Sequence, residues 1–210
     1  MPRYAITDIH GCARTFAALL ERIGYGREDE LFLLGDYIDR GPDSAGVLRR
    51  IWRLQGQGHR IVCLRGNHEQ MLLDAHARGH TPWDYQPEAL ELQQTLHWIE
   101  HLPYYHETPG YVLVHAGLNL GLADPLSDTQ AMLWIRDWER EVTYEWLADR
   151  ILVYGHTPRP VREVRRAADL LPGRPLICLD SGCAMQAPGM GHLAALNLDT
   201  REVTFIERQD

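Results

Sequence analysis

Leu31-Phe32-Leu33-Leu34-Gly35-Asp36-Tyr37-Ile38-Asp39-Arg40-Gly41 is an apolar run that stops abruptly at a glycine and a carboxylate. Such a run, closed by turn-forming polar residues, reads as a buried strand whose carboxyl end carries chemistry. The pattern recurs in Tyr4-Ala5-Ile6 before Thr7-Asp8 and in Ile61 to Leu64 before Arg65-Gly66-Asn67-His68. It returns in Tyr111 to Val114 before His115, Ile151 to Tyr154 before Gly155-His156, and Leu176 to Leu179 before Asp180. Between the first three runs, Phe16, Leu19, Leu20 and Ile23 recur at helical spacing and stop at Gly24. Val47, Leu48, Ile51 and Trp52 do the same after the capping pair Asp43-Ser44. The chain therefore opens βαβαβ, in an α/β fold. His192 to Leu198 and Glu202 to Ile206, joined by Asp199-Thr200-Arg201, predict a closing hairpin. A mixed sheet or a pair of sheets flanked by helices is expected, as one domain over residues 1–210. The less regular segments at about 69–102 and 118–147 are expected to supply extra helices and cleft walls.

The 210 residues, 45% of them hydrophobic, suffice for one sizeable core. No run reaches the ~18 apolar residues of a membrane span, and the first strand begins at Tyr4, so a cytoplasmic protein without a signal peptide is expected. Cys12, Cys63, Cys178 and Cys183 lack the close pairing of a zinc or redox motif and read as packed thiols. A net charge of −8 argues against a general nucleic-acid binder. All 21 basic side chains are Arg, which excludes lysine chemistry and leaves planar forks suited to phosphate oxygens. The cluster Arg159, Arg162, Arg165 and Arg166 reads as a solvated face or a guide for an anionic substrate.

In open α/β sheets ligands bind beyond the carboxyl ends of the strands, where every polar cluster above falls. Asp8 and His10, two residues apart, would point to one side of an extended backbone and share a cation. Asp36 has two oxygens with which to bridge a metal pair, and Asn67, His115 and His156 complete the second site. Oxygen and imidazole donors without thiolate suit Mn, Fe, Zn or similar ions. Two ions about 3.5 to 4 Å apart would let a bridging hydroxide attack phosphorus directly. His68, spare in this ligand count, is the expected general acid, oriented and charged by Asp39. Arg40 and Arg136 are the expected phosphate clamp, with Arg65 third. Asp180 reads as turn-forming or as a support to the ligands. His59, His76, His80, His97, His101, His106 and His192 read as ordinary surface or core histidines.

Asp8-Ile9-His10-Gly11, Gly35-Asp36-Tyr37-Ile38-Asp39-Arg40-Gly41, Gly66-Asn67-His68-Glu69, His115-Ala116-Gly117 and Gly155-His156-Thr157 resemble the phosphoprotein phosphatase (PPP) family of calcineurin-like metallophosphoesterases. The resemblance extends to about Gly182. It is most like the compact bacterial and phage-type serine/threonine phosphatases, which share segments like Trp134-Ile135-Arg136 and Asp180-Ser181-Gly182. It implies a β-sandwich flanked by helices and two divalent metals, commonly Mn, with Fe, Zn, Ni or Co as alternatives. It gives Asp8, His10 and Asp36 to the first metal and Asp36, Asn67, His115 and His156 to the second. Acid catalysis falls to His68 with Asp39, and Arg40 and Arg136 hold phosphate with Asn67 beside them. Pro158 stands where calcineurin-like nucleases often carry a further His, which disfavours a nuclease. Thr7 replaces a Gly of many relatives, just outside the ligands.

The implied activity is a phosphomonoesterase acting on phosphoserine and phosphothreonine, with phosphotyrosine a further substrate. The alternative is a dinucleotide polyphosphate hydrolase of the diadenosine tetraphosphate type, with Trp83, Tyr85, Trp134 and Trp138 available to stack adenine. Symmetrical tetraphosphatases usually lack an acid-orienting Asp where this chain has Asp39, whereas asymmetrical ones can retain it. A binding module that has lost catalysis would be expected to lack a ligand or the acid, and none is missing.

Overall fold

The computed structural model describes residues 1–80, 84–85, 87–140, 143–171 and 173–210. Two sheets form its centre. In the first, β1 (Arg3–Ile6), β2 (Glu30–Leu33) and β3 (Arg60–Cys63) run parallel. They are linked by helices α1 (Ala13–Arg22) and α2 (Ser44–Gly56), the βαβαβ opening expected. The closing hairpin, β8 (His192–Asn197) and β9 (Val203–Glu207), adds antiparallel to β1, giving the order β3-β2-β1-β8-β9. The second sheet has the order β4-β5-β6-β7. Here β5 (Tyr111–Val114), β6 (Ile151–Tyr154) and β7 (Leu176–Cys178) are parallel, and β4 (Tyr105–Thr108) is antiparallel at the edge.

The central strands, β5 and β6 above all, are apolar because both of their faces are buried, and successive side chains enter different cores. Ala5, Phe32, Leu113 and Val153 meet between the sheets. Ile6, Leu31 and Leu33 face outward onto Phe16, Leu19, Val47, Leu48 and Ile51 of the two helices. On the far side Val112, Leu152 and Tyr154 pack under Leu118, Met132 and Leu147. This is a β-sandwich flanked by helices, as the resemblance implied.

The less regular segments hold α3 (Asn67–Ala77) and α4 (Ala89–Glu100), then α5 (Thr129–Trp134) and short 3₁₀ turns at 125–127, 138–140 and 145–147. A further helix, α6 (Val161–Asp169), lies against β7 and carries three of the clustered arginines. Among the described residues no helix is long and apolar enough to cross a membrane.

Candidate metal centre

The site lies at the carboxyl ends of β1, β2, β3, β5 and β6, and its backbone is bent there. Asp8 (φ 47°), His10 (φ 47°), Asp36 (φ 54°), Asp39 (φ 68°), Arg40 (φ 65°) and His156 (φ 68°) all occupy the left-handed region. The extended Asp8–His10 segment expected from sequence is therefore replaced by a turn. The amides of Asp8 and His10 donate to the carbonyls of Gly35 and Asp36, so the chain curls to follow the neighbouring loop. Left-handed backbone at non-glycine residues is costly and concentrates at functional sites, held by surrounding bonds.

Those bonds come largely from Glu69 and Tyr37. The fully buried Glu69 carboxylate accepts from the amides of Asp36 (2.8 Å), Tyr37 (2.9 Å), Gly66 (3.0 Å) and, at longer range, Ile38 (3.4 Å). It thereby pins the β2 loop to the start of α3. The Tyr37 hydroxyl lies 2.9 Å from the Leu33 carbonyl and 2.7 Å from that of Leu64, across the ends of β2 and β3. The Gly66-Asn67-His68-Glu69 motif by itself assigns Glu69 no chemical role. Its signal is a Glu three residues beyond Gly66 at a helix start, the spacing of a capping box. Gly35 permits the close approach: its φ is 97°, and a Cβ there would lie 2.6 Å from Gly66.

Asp36 is the hub. One carboxylate oxygen faces His10 Nε2 at 3.4 Å and the other faces His115 Nε2 at 3.5 Å. The opposite ring nitrogens lie 3.0 Å from the Ile38 carbonyl and 2.9 Å from the Leu34 carbonyl. A proton on each Nδ1 satisfies those carbonyls and leaves the Nε2 lone pairs aimed at carboxylate oxygens. Asn67 Oδ1 lies 2.9 Å from His115 Nε2 and 2.8 Å from His156 Nδ1, and the two ring nitrogens are 3.2 Å apart. His156 Nε2 is buried with no partner among the described residues. Acceptors crowded against acceptors fit bound cations.

The charges agree. Burial drives the Asp8 carboxyl well above its usual range, with Asp180 and Asp36 adding repulsion. Burial lifts Asp180 to about 7, with Asp36 contributing against the Gly182 hydrogen bond. Burial also opposes ionisation of Asp36, but the imidazoles of His115, His10 and His68 outweigh it and hold that carboxyl below its usual range. Burial pushes His10 down to about 4 and His156 to about 3, which favours the neutral, metal-ligating form.

Two ligand groups, His10-Asp36-His68 and Asp36-His115-His156, share Asp36. Asp8 falls in neither. Both its oxygens lie 3.1 Å from the His156 amide, so it ties the β1 end to the β6 end. A Cβ on Gly155 would collide with this carboxylate, so glycine is required there. His68 Nδ1 lies 2.7 Å from Asp39, the expected acid pair. Arg40 donates to His10 Nε2 and to His68 Nε2, both at 3.0 Å, so its guanidinium sits over the first group.

Arg136 is exposed and donates to the His156 carbonyl (3.4 Å) and Thr157 Oγ1 (3.5 Å), at the rim of the second group. Arg65 is excluded as a clamp. It is buried, donating to Gln70, Tyr104 and the carbonyls of Ile99 and Glu100, where it closes the end of α4. Asp180 accepts from the Gly182 amide at 2.8 Å, the turn-forming role expected. Of the aromatics, Tyr85 is buried with its hydroxyl on Thr95, and Trp138 packs against Tyr154. Trp83 lies outside the described residues. Trp134, 39% exposed and 6.5 Å from the His156 ring, is left for stacking.

A β-sandwich with two buried Asp/His groups sharing one carboxylate at its strand ends defines a metal-dependent phosphoesterase. The chain belongs to the calcineurin-like phosphoesterase family, whose model matches residues 1–186. It is 41% identical over 125 residues to a symmetrical bis(5'-nucleosyl)-tetraphosphatase of Nitrosomonas europaea, a match covering 56% of this chain and 45% of that one. A protein of the same description from Aromatoleum aromaticum is 38% identical, with the same coverage. The matches thus span less than half the length of these relatives. A serine/threonine phosphatase from Saccharomyces cerevisiae shares the fold, with a TM-score of 0.76 at 15% identity, over 100% of this chain and 81% of that one.

Proposed function

We propose that this chain hydrolyses dinucleoside polyphosphates, which makes the alternative reading of the sequence the principal one. The observation that carries it is the 41% identity over 125 residues to a symmetrical tetraphosphatase. Exposed Trp134 beside His156 is consistent with it, since an adenine base can stack there.

Asp36, His10, His115, Asn67 and His156 would hold the metal pair, with Asp8 at its edge, and Mn is the proposed metal. When bound, the pair supplies Lewis acidity and an activated water for direct attack on phosphorus. Arg40 and Arg136 grip the phosphoryl oxygens. Drawn to phosphate, Arg40 releases His68 Nε2, which is then free to carry a proton for a leaving group that needs one, such as an alkoxide, while Asp39 holds Nδ1. The four buried, unpaired cysteines suit a reducing compartment, and we keep the cytoplasm as the proposed location.

A second reading, phosphomonoester hydrolysis on phosphoserine or phosphothreonine, rests on the 2.7 Å Asp39–His68 bond. A phosphate leaving group ionises near pH 6, at about the pKa of a phosphate monoester, and departs without a proton. A serine or threonine alkoxide needs one. A panel setting diadenosine tetraphosphate against phosphoserine peptides, with Mn, tests the choice. The principal reading predicts the higher kcat/KM on the dinucleotide, and turnover confined to the phosphopeptides would replace it with the second.

A further inference from the structure

Beside His68 the site continues into a cavity of about 360 Å³ that extends beyond the metal groups along α3. One face of the helix lines it, with Asn67, His68, Met71, Leu72 and Ala75 at positions i, i+1, i+4, i+5 and i+8. Asp39 and Arg40 of the β2 loop line it as well, with Asp84 at the exposed rim. That rim is moored to the loop: the Arg40 amide donates to the Asp84 carboxylate and the Tyr85 amide to Asp39, both at 3.2 Å. The cavity thus has a polar end, at Arg40, Asn67 and His68, and an apolar flank further along the helix. Leu72 is buried at its base, but Met71 and Ala75 are only partly buried and stay open to an occupant. Met71 is held in place by Asn67, whose Nδ2 donates to its Sδ at 3.8 Å.

Two features decide what the cavity takes. The departing oxygen faces His68 in the reading above, so the group bonded to that oxygen leaves along α3 rather than across the metals. From Asn67 to Ala75 the helix climbs about 12 Å, further than a phosphoryl group alone would reach. The flank there is a thioether and a methyl group, without charge. A methionine sulfur makes favourable contacts with an aromatic ring, whereas a small alcohol would leave this flank in water. We propose that the cavity is the leaving-group subsite, and that Met71 and Ala75 select phosphoesters whose leaving group carries an aromatic ring. The inference rests on the assignment of His68 to the leaving-group side, and not on which phosphoester is the natural substrate.

Steady-state kinetics of the Mn-loaded protein on 2-naphthyl phosphate and on acetyl phosphate, whose leaving group has no ring, test it. Met71→Gln makes the flank polar at nearly equal length, and its amide oxygen can still accept from Asn67. Ala75→Phe fills the cavity. The intrinsic reactivity of each ester cancels when kcat/KM on the naphthyl ester is divided by kcat/KM on acetyl phosphate and the quotient is compared between proteins. That quotient is expected to fall about tenfold or more, chiefly through KM of the naphthyl ester, the scale on which apolar pocket contacts discriminate. A fall in either variant supports the subsite, and an unchanged quotient in both would overturn it. Diadenosine tetraphosphate, assayed beside them, identifies the ring. A parallel loss assigns it to the base of the departing nucleotide, and a loss confined to the naphthyl ester assigns it to a phenol-type leaving group. Failure to cleave the dinucleotide at all would count against the proposed function, while the quotient would still decide the subsite.

Discussion

At the scale of single residues, the proposed mechanism turns on a division of labour among imidazoles. His10, His115 and His156 are held neutral by burial, whereas His68 is not. Burial opposes its imidazolium, but the Asp39 hydrogen bond and the Asp36 charge raise its pKa above the ordinary histidine value. The protonated form is the acid, so activity that needs it falls as pH rises through that pKa. In Asp39→Asn the raising contact is lost, and the alkaline limb of kcat against pH on an alkyl phosphate should move to lower pH. An unmoved limb would show that Asp39 does not set the proton of His68. His68→Asn should lower kcat on alkyl phosphates about 10²- to 10⁴-fold, the range for a general acid. Its effect on diadenosine tetraphosphate should be much smaller, because that leaving group needs no proton. Steady-state rates on both substrates check this, and equal losses would contradict the assigned role.

At the scale of elements, the strand ends were legible in sequence because each apolar run enters two buried cores and stops at a polar cluster. The ligand types at those ends were legible for the same reason. The backbone between them was not: left-handed conformations at Asp8, His10, Asp36 and His156 arise from hydrogen bonds to loops distant in sequence, with no local signal. Strand β4 was missed because Tyr105-His106-Glu107-Thr108 is an edge strand, half exposed and without an apolar run. Arg65 was misread because its partners on α4 lie more than 30 residues away. The join between the β2 loop and α3 makes a prediction of its own. Glu69→Ala leaves four amides, those of Asp36, Tyr37, Ile38 and Gly66, without their acceptor, at a cost of about 1–3 kcal/mol for each one that stays buried and unpaired. The urea midpoint should fall by a corresponding amount and metal should be retained less well. An unchanged midpoint would remove Glu69 as the clasp.

At the scale of the whole molecule, we propose that residues 1–210 act as one domain whose two sheets converge on the metal groups. Asp8, Asp36 and Asp180 are buried together at the junction of the sheets, and a bound cation pair would offset their repulsion. Chelation should therefore lower the melting temperature. Restoring Mn at about 100 times its Kd should return about 2.7 kcal/mol of stability per independent site, if the unfolded chain binds none. Equal melting temperatures with and without chelator would argue against a metal pair at this junction. The most direct test of the proposed function is product analysis after incubation of the Mn-loaded protein with diadenosine tetraphosphate. Symmetrical cleavage to two molecules of ADP is predicted; intact dinucleotide, beside phosphate release from a phosphoserine peptide by the same preparation, would contradict it.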